Sequence, residues 1–289
     1  MRGRDFALMV TPAVLLMTVL LSVPLLYTIV WSFQHVSYGE GSTWVGLGNY
    51  SAALRDPVFR DSVLFTVVFT VARTILLLAV GYGLALLLNA VRRERSAFLG
   101  LMLVPFIVPS IIGAMAFSWL FDSNFGGLAN YFLQKVIGHG YNWFTDPWAN
   151  RAVLIGNVIW HYVPLAVLIL LAALQGIPQE PMEAASLDGA SWRQKQWHVV
   201  LPALRPMLRF LALISVMDGL RMFDQLIPLS PSAQTINNQS VMLYVYQRAF
   251  TDSQQNLGLG SAVNVLMLFT MIVLVIPLLR STYREVKAS

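Results

Sequence analysis

The sequence predicts an all-α membrane protein, a bundle of six spanning helices, and three observations lead there. Apolar residues make up 57% of the chain and charged residues 11%, with a mean hydropathy of +0.64. A soluble domain carries roughly 25% charged residues, so water is not the solvent for most of this surface. Six apolar stretches are long enough to cross about 30 Å of hydrocarbon. Lysine and arginine, finally, fall unevenly between those stretches.

The spans are placed near Phe6–Phe33, Ser62–Ala90, Phe98–Phe121, Ala152–Gln175, Met207–Leu229 and Gly260–Leu279. Arg2 and Arg4 precede the first, as in a secretory signal. Its apolar run is longer than a signal core and no small-x-small cleavage site ends it, so a retained anchor is expected. The loop from Gln34 to Asp61 holds Trp44-Val45-Gly46-Leu47-Gly48-Asn49-Tyr50 and Asp56-Pro57. Its glycines and proline predict turns, and its aromatics suit a membrane–water interface. In the second span Gly81 and Gly83 suit close helix contact. Pro24, Pro105, Pro109, Pro164 and Pro277 lie inside spans, where neighbouring helices can satisfy the carbonyls a proline frees. No repeat, low-complexity tract or soluble domain interrupts the chain, and residues 1–289 read as one transmembrane domain.

Orientation follows from the basic residues. Arg2, Arg4, Arg92, Arg93, Arg95, Arg193, Lys195, Arg205, Arg280, Arg284 and Lys287 fall on one side. Arg55, Arg60, Lys135, Arg151 and Arg248 fall on the other, in longer loops. The first side is expected to be cytoplasmic, with both termini inside. The net charge of +5 is spread over short loops rather than gathered in a patch, which argues against nucleic acid. The chain has no cysteine, which excludes disulfides and thiolate metal sites. Its four histidines are not paired at metal-ligand spacing.

One polar segment stands out between the fourth and fifth spans, at about 176–206. It reads Glu183-Ala184-Ala185-Ser186-Leu187-Asp188-Gly189-Ala190 and later Val199-Val200-Leu201-Pro202. Pro178 and Pro181 suit the first turn of a short helix, and Glu183 near that N-terminus is favoured by the helix dipole. Gly189 permits a reversal with positive φ. A second helical segment through Trp192–Val200, ended by Leu201-Pro202, would complete a helix–turn–helix finger.

This segment resembles the EAA loop of binding-protein-dependent ABC-importer permeases, in the residues Glu183, Ala184, Ala185, Asp188, Gly189, Leu201 and Pro202. The resemblance extends along nearly the whole chain and points to the sugar-importing, maltose-transporter-like branch. It is carried by Gly46-Leu47-Gly48-Asn49-Tyr50, Gly176-Ile177-Pro178, Leu187-Asp188-Gly189-Ala190, Phe223-Asp224 and Tyr246-Gln247-Arg248-Ala249-Phe250. Leu229-Ser230-Pro231-Ser232 departs from it, standing where the family often has a Thr-Gly-Gly-Gly-Pro-like turn. The resemblance implies a type I importer permease fold in a prokaryotic plasma membrane and alternating access. It implies a second, homologous permease, two cytoplasmic ATPases gripping the loop and an extracytoplasmic substrate-binding protein, besides membrane lipid. The chain itself holds no cofactor in this reading, and ATP and Mg²⁺ belong to the ATPases. Its own residues agree, since Lys135, Lys195 and Lys287 follow Gln134, Gln194 and Val286 and none completes the Gly-Lys-Ser/Thr of a phosphate loop.

Ionisable groups inside spans are costly and normally face protein or water. Arg73 in the second span and Asp218, Arg221 and Asp224 in the fifth, spaced to share one helix face, are candidates for ion pairs or for a substrate path. Asn157, Trp160 and His161, beside Tyr162 in the fourth span, are further candidates, since an aromatic face with polar neighbours suits a sugar ring. The alternative substrates are a glycerol-phosphate or another polyol-like solute, although Arg221 between two aspartates argues against a free anion site. An intramembrane enzyme would need a catalytic constellation on adjoining helices, and none stands out.

Overall fold

The computed structural model describes residues 3–288 apart from 40, 92, 124, 125 and 254, with side chains described over 9–276. Of the basic residues that set the orientation, Arg2 and Arg92 lie outside the described residues, as do the side chains of Arg4, Arg280, Arg284 and Lys287. In chain order the elements are α1 (Gly3–Ser32), β1 (Gln34–His35), β2 (Thr43–Trp44), α2 (Gly48–Arg55), α3 (Pro57–Ala90), α4 (Arg95–Ile107), α5 (Ser110–Leu120), α6 (Leu128–Ile137) and α7 (Pro147–Gln175). There follow α8 (Gln179–Leu187), α9 (Trp192–Lys195), a π-turn (Gln196–Val200), α10 (Leu201–Leu220), α11 (Leu226–Leu229), α12 (Val241–Tyr246), a second π-turn (Gln247–Thr251) and α13 (Leu257–Ala288). Among the described residues, five helices are long and apolar enough to cross a membrane. The pair α4 and α5 makes a sixth span when taken together.

Two compact units divide the chain: Met1–Arg60 with Leu243–Val273, and Asp61–Met242 with Leu274–Ser289. In the first, β1 and β2 pair antiparallel, with Gln34 opposite Trp44. Asn49 donates to the carbonyls of Ser32 at 3.0 Å and Gln34 at 2.8 Å, which fastens α2 to the end of α1. Gly258 lies so close to this junction that a side-chain carbon there would collide with the Gln34 carbonyl oxygen. Asp56 accepts from the Tyr244 hydroxyl at 2.8 Å, from Arg248 at 2.7 Å and from the Val58 backbone N–H at 2.9 Å. Arg248 also donates to Asp252 at 2.9 Å. Burial by itself would raise the Asp56 carboxyl, but these donors outweigh it and hold the group below its ordinary value. The Tyr244 hydroxyl is pushed up to about 12, by burial first and then by its bond to Asp56.

In the second unit α7 is packed by α4, α5, α10 and α11. Asp146 explains where α7 starts: its side chain accepts the N–H groups of Trp148 and Ala149, and Pro147 occupies the first helical position, where a missing N–H is harmless. Leu77, Val163, Ala166, Val167, Leu170, Leu204 and Leu211 form the core. Lipid tails are as apolar as these side chains, so close packing rather than expulsion of water holds the helices together. Gly81 supplies such a contact, because a Cβ there would lie 3.1 Å from the Ala166 side chain. Gly83 has open space beside it, so of the two glycines only Gly81 brings helices together.

Two spans differ from the expectation. The third is bent by 92° between α4 and α5. Pro109 pushes Val108 into an extended conformation, φ −68° and ψ 133°, as a residue before proline is pushed. The fifth does not run on to Leu229. α10 ends at Leu220, Arg221 caps it, and the chain turns before α11. Gly219 weakens the helix there, and the break leaves Arg221 and Asp224 at exposed positions instead of inside one continuous helix.

Candidate functional site

The polar segment between α7 and α10 folds into a finger. Pro178 stands just before α8 in extended conformation, and Pro181 fits within its first turn. At the far end Gly189 has φ +72°. The Ala190 N–H reaches the Ala185 carbonyl at 2.9 Å and the Gly189 N–H reaches the Ser186 carbonyl at 3.1 Å. These crossed bonds satisfy carbonyls that a helix end would leave open and reverse the chain through a left-handed residue. Nothing lies within 4 Å of a Cβ built on Gly189, so the backbone conformation alone requires glycine. The returning arm is capped reciprocally, with the Ser191 N–H donating to the Gln194 side chain at 2.7 Å and the Gln194 N–H to Ser191 Oγ at 3.4 Å. Lys195 Nζ then donates to Ser186 Oγ at 2.8 Å, which braces the two arms.

Glu183, Ala184, Asp188 and Gly189 are exposed on the finger and Ala185 is half-buried. Leu187 is 89% exposed and Trp192 65%, an unusual load of apolar surface for a polar segment and one suited to a protein surface. Leu201 and Pro202 do not end the returning arm as expected. They open α10, with Pro202 in its first turn, and the Leu201 N–H bonds back to the Gln196 carbonyl across the π-turn. A proline without N–H is accommodated there, so the finger runs into the bundle as one continuous helical path.

The intramembrane candidates separate into groups. Arg73 is 1% exposed, and its guanidinium lies 4.8 Å over the Tyr162 ring. Its Nε and Nη2 have no hydrogen-bond partner, nor do Asn157 Nδ2, His161 Nδ1 or Thr70 Oγ1. Asp218, half-buried, is close enough for its charge to act on Arg73. Arg73, Asn157 and His161 are therefore buried polar positions on α3 and α7, with the half-buried Asp218 of α10 in electrostatic reach of Arg73. Trp160 turns elsewhere, against Phe117 at 5.3 Å and the backbone of Gly113. Asp224 accepts from Ser110 on α5 at 2.9 Å. Because α10 stops at Leu220, Asp218, Arg221 and Asp224 do not share the helix face their spacing suggests.

Sequence reading missed a buried network at the start of α7. Asn150 donates to the Leu229 carbonyl at 2.7 Å and accepts from Ser230 Oγ at 2.9 Å and Asn238 at 3.1 Å. Arg151 donates to Asn238 at 2.6 Å. The Ser230 departure is thus a fastening point for its loop. The available signal was an Asn-Arg pair opening an apolar helix, but its partners lie far along the chain.

Helices long and apolar enough to cross a membrane, a sharply bent helix pair among them and a braced finger held at the end of two others, describe the membrane-embedded subunit of a transporter. Residues 76–284 match the family described as binding-protein-dependent transport system inner membrane component, and the chain belongs to that family. It is a permease, a transport component rather than an enzyme. It is 30% identical to the arabinooligosaccharides transport system permease protein AraP of Halalkalibacterium halodurans, over 92% of this chain and 84% of that protein. It is also 30% identical to the trehalose/maltose transport system permease protein MalF of Thermococcus litoralis, over 90% and 87% of the two chains. The fold is shared with a chain from the crystal structure of a bacterial ABC transporter involved in the import of the acidic polysaccharide alginate. The TM-score there is 0.83 at 19% identity, covering 98% of this chain and 96% of that one.

Proposed function

We propose that the chain is the transmembrane subunit of an ATP-driven importer of a sugar, from mono- to oligosaccharide, coupled to ATPases through the finger from Glu183 to Pro202. The finger carries the reading: it is braced within itself, exposes Glu183, Ala184, Asp188 and Leu187, and continues without a break into a spanning helix. A force applied at its tip would reach the bundle along this path, which runs through α9 and the π-turn into α10. Saccharide as the substrate is supported by the names of relatives, one assigned to arabinooligosaccharides and one to trehalose and maltose. ATP and Mg²⁺ would be held by two ATPase subunits. A second permease and a substrate-binding protein would complete the assembly, with the finger and both termini of this chain in the cytoplasm. Arg73, Asn157, His161 and Asp218 are proposed as the polar positions of this subunit's solute path, with Trp160, Arg221 and Asp224 at its margins.

The test is uptake of a labelled saccharide panel, with glycerol-phosphate and a polyol included, in cells lacking the gene and in cells with it restored. Loss and recovery for one saccharide supports the reading and names the substrate. Recovery confined to glycerol-phosphate or the polyol overturns the sugar assignment. Absence of an ATPase from the purified complex overturns the coupling assignment.

A further inference from the structure

Gln196 is 8% exposed, on the returning arm whose Val200 is buried in the core. A buried amide needs partners, and its side-chain oxygen has one: the Tyr82 hydroxyl donates to it at 2.6 Å. Tyr82 belongs to α3 and packs on the same core. Lys195, beside Gln196, braces the other arm through Ser186, whose hydroxyl bonds in turn to the Met182 carbonyl at 2.7 Å. A continuous series of contacts thus runs from α8 through Ser186, Lys195 and Gln196 to α3. It is a second route from finger to bundle, leaving the main chain at Gln196 before that chain enters α10.

Gln196 is also the first residue of the π-turn. Such turns interrupt regular helical bonding and often mark functional positions, and a helix bends most readily where its ladder is disturbed. Left to itself, the finger would pivot at this turn and leave α3 behind. Apolar contacts allow one helix to slide along another, whereas a hydrogen bond has a direction and fixes the register. We propose that Tyr82 and Gln196 form a lateral strut that makes the finger and α3 move as one body, so that Tyr82 is a positioning residue for coupling. This rests on the reading of the finger as the ATPase contact.

The chain has no cysteine, so Leu87→Cys on α3 and Glu180→Cys on the finger, both exposed, can carry a spin-label pair. The pair is measured in the complete transporter with cysteine-free partner subunits, with and without a non-hydrolysable ATP analogue. In the parent protein the interlabel distance is expected to stay constant when nucleotide is added. In Tyr82→Phe, which removes one oxygen, it is expected to shift with nucleotide beyond the parent's distribution width. Gln196→Met should do the same, and the double variant should do no more than either single one, because both changes remove one interaction. A nucleotide-dependent distance in the parent overturns the strut, as does parent-like constancy in both single variants. Loss of both variants from the membrane also overturns it, since the bond would then serve folding. Uptake by Gly189→Val judges the underlying reading separately: blocked uptake there beside an unchanged distance in Tyr82→Phe sinks the strut alone.

Discussion

Lys195 reaches from the returning arm of the finger to Ser186 on the first arm, 2.8 Å away. The bond closes a loop whose tip is Gly189 at φ +72°. Reversal and brace together turn a polar stretch between two spans into a braced finger, and the first predictions concern its proposed role as a lever.

Gly189→Val should abolish transport while leaving membrane insertion intact. The left-handed conformation costs an ordinary residue about 1–2 kcal/mol, and a β-branched one resists it further. The two arms would separate or re-register. Glu183→Lys, on the exposed face, should give the same result by reversing the charge offered to a partner. Solute uptake and membrane protein level, measured side by side, check both, and normal uptake in the two variants would contradict the lever.

Gly219→Ala should destabilise the bundle by about 1–3 kcal/mol, the usual cost of overpacking. A Cβ there would sit 2.6 Å from Thr70 Oγ1 and 3.0 Å from Thr70 Cβ. Adding Thr70→Ala should recover most of the loss, because the clash is with that side chain. Thermal melting of the purified complex reads both.

Asn150→Leu should cost about 1–3 kcal/mol for each buried group left unpaired. The Leu229 carbonyl loses its donor and Ser230 its acceptor. The expected signature is faster proteolysis or hydrogen exchange in residues 229–238, with the finger unaffected. Uniform loosening of the whole chain would show that the network does more than hold that loop.

Stability should depend on pH at both extremes through Asp56 and Tyr244. The Asp56 value is lowered on folding from 3.8, so its contribution is present above that value and is lost as pH falls through the lower folded value. Tyr244 is raised from 10.0 to about 12, so its contribution is complete below 10.0 and disappears as pH rises through about 12. Asp56→Asn should flatten the acid limb of a melting-temperature profile, and Tyr244→Phe the alkaline limb. An unchanged acid limb in Asp56→Asn would remove the carboxylate from the account.

The sequence by itself determined the fold class and the finger. A spanning helix needs only a long apolar run, because lipid forces backbone groups to pair within the segment. The finger's turn needs only a glycine at the right distance from a helix start, since its bonds link residues a few positions apart, as between Ala190 and Ala185. Both are local rules. Tertiary structure decided where helices break and what each buried polar group meets. Pro105 and Pro109 were visible alike as prolines, yet only the structure shows that α4 runs on through Pro105, that the bend of 92° falls at Pro109, and that both halves pack on α7. The spacing of Asp218, Arg221 and Asp224 implied one face only while the helix was assumed to continue past Gly219, whose contact with Thr70 is set by another span. Tyr82 finds Gln196, and Asn150 finds Ser230, across separations that no periodicity encodes. Such pairs arise because a buried donor must find an acceptor among whatever helices packing brings beside it.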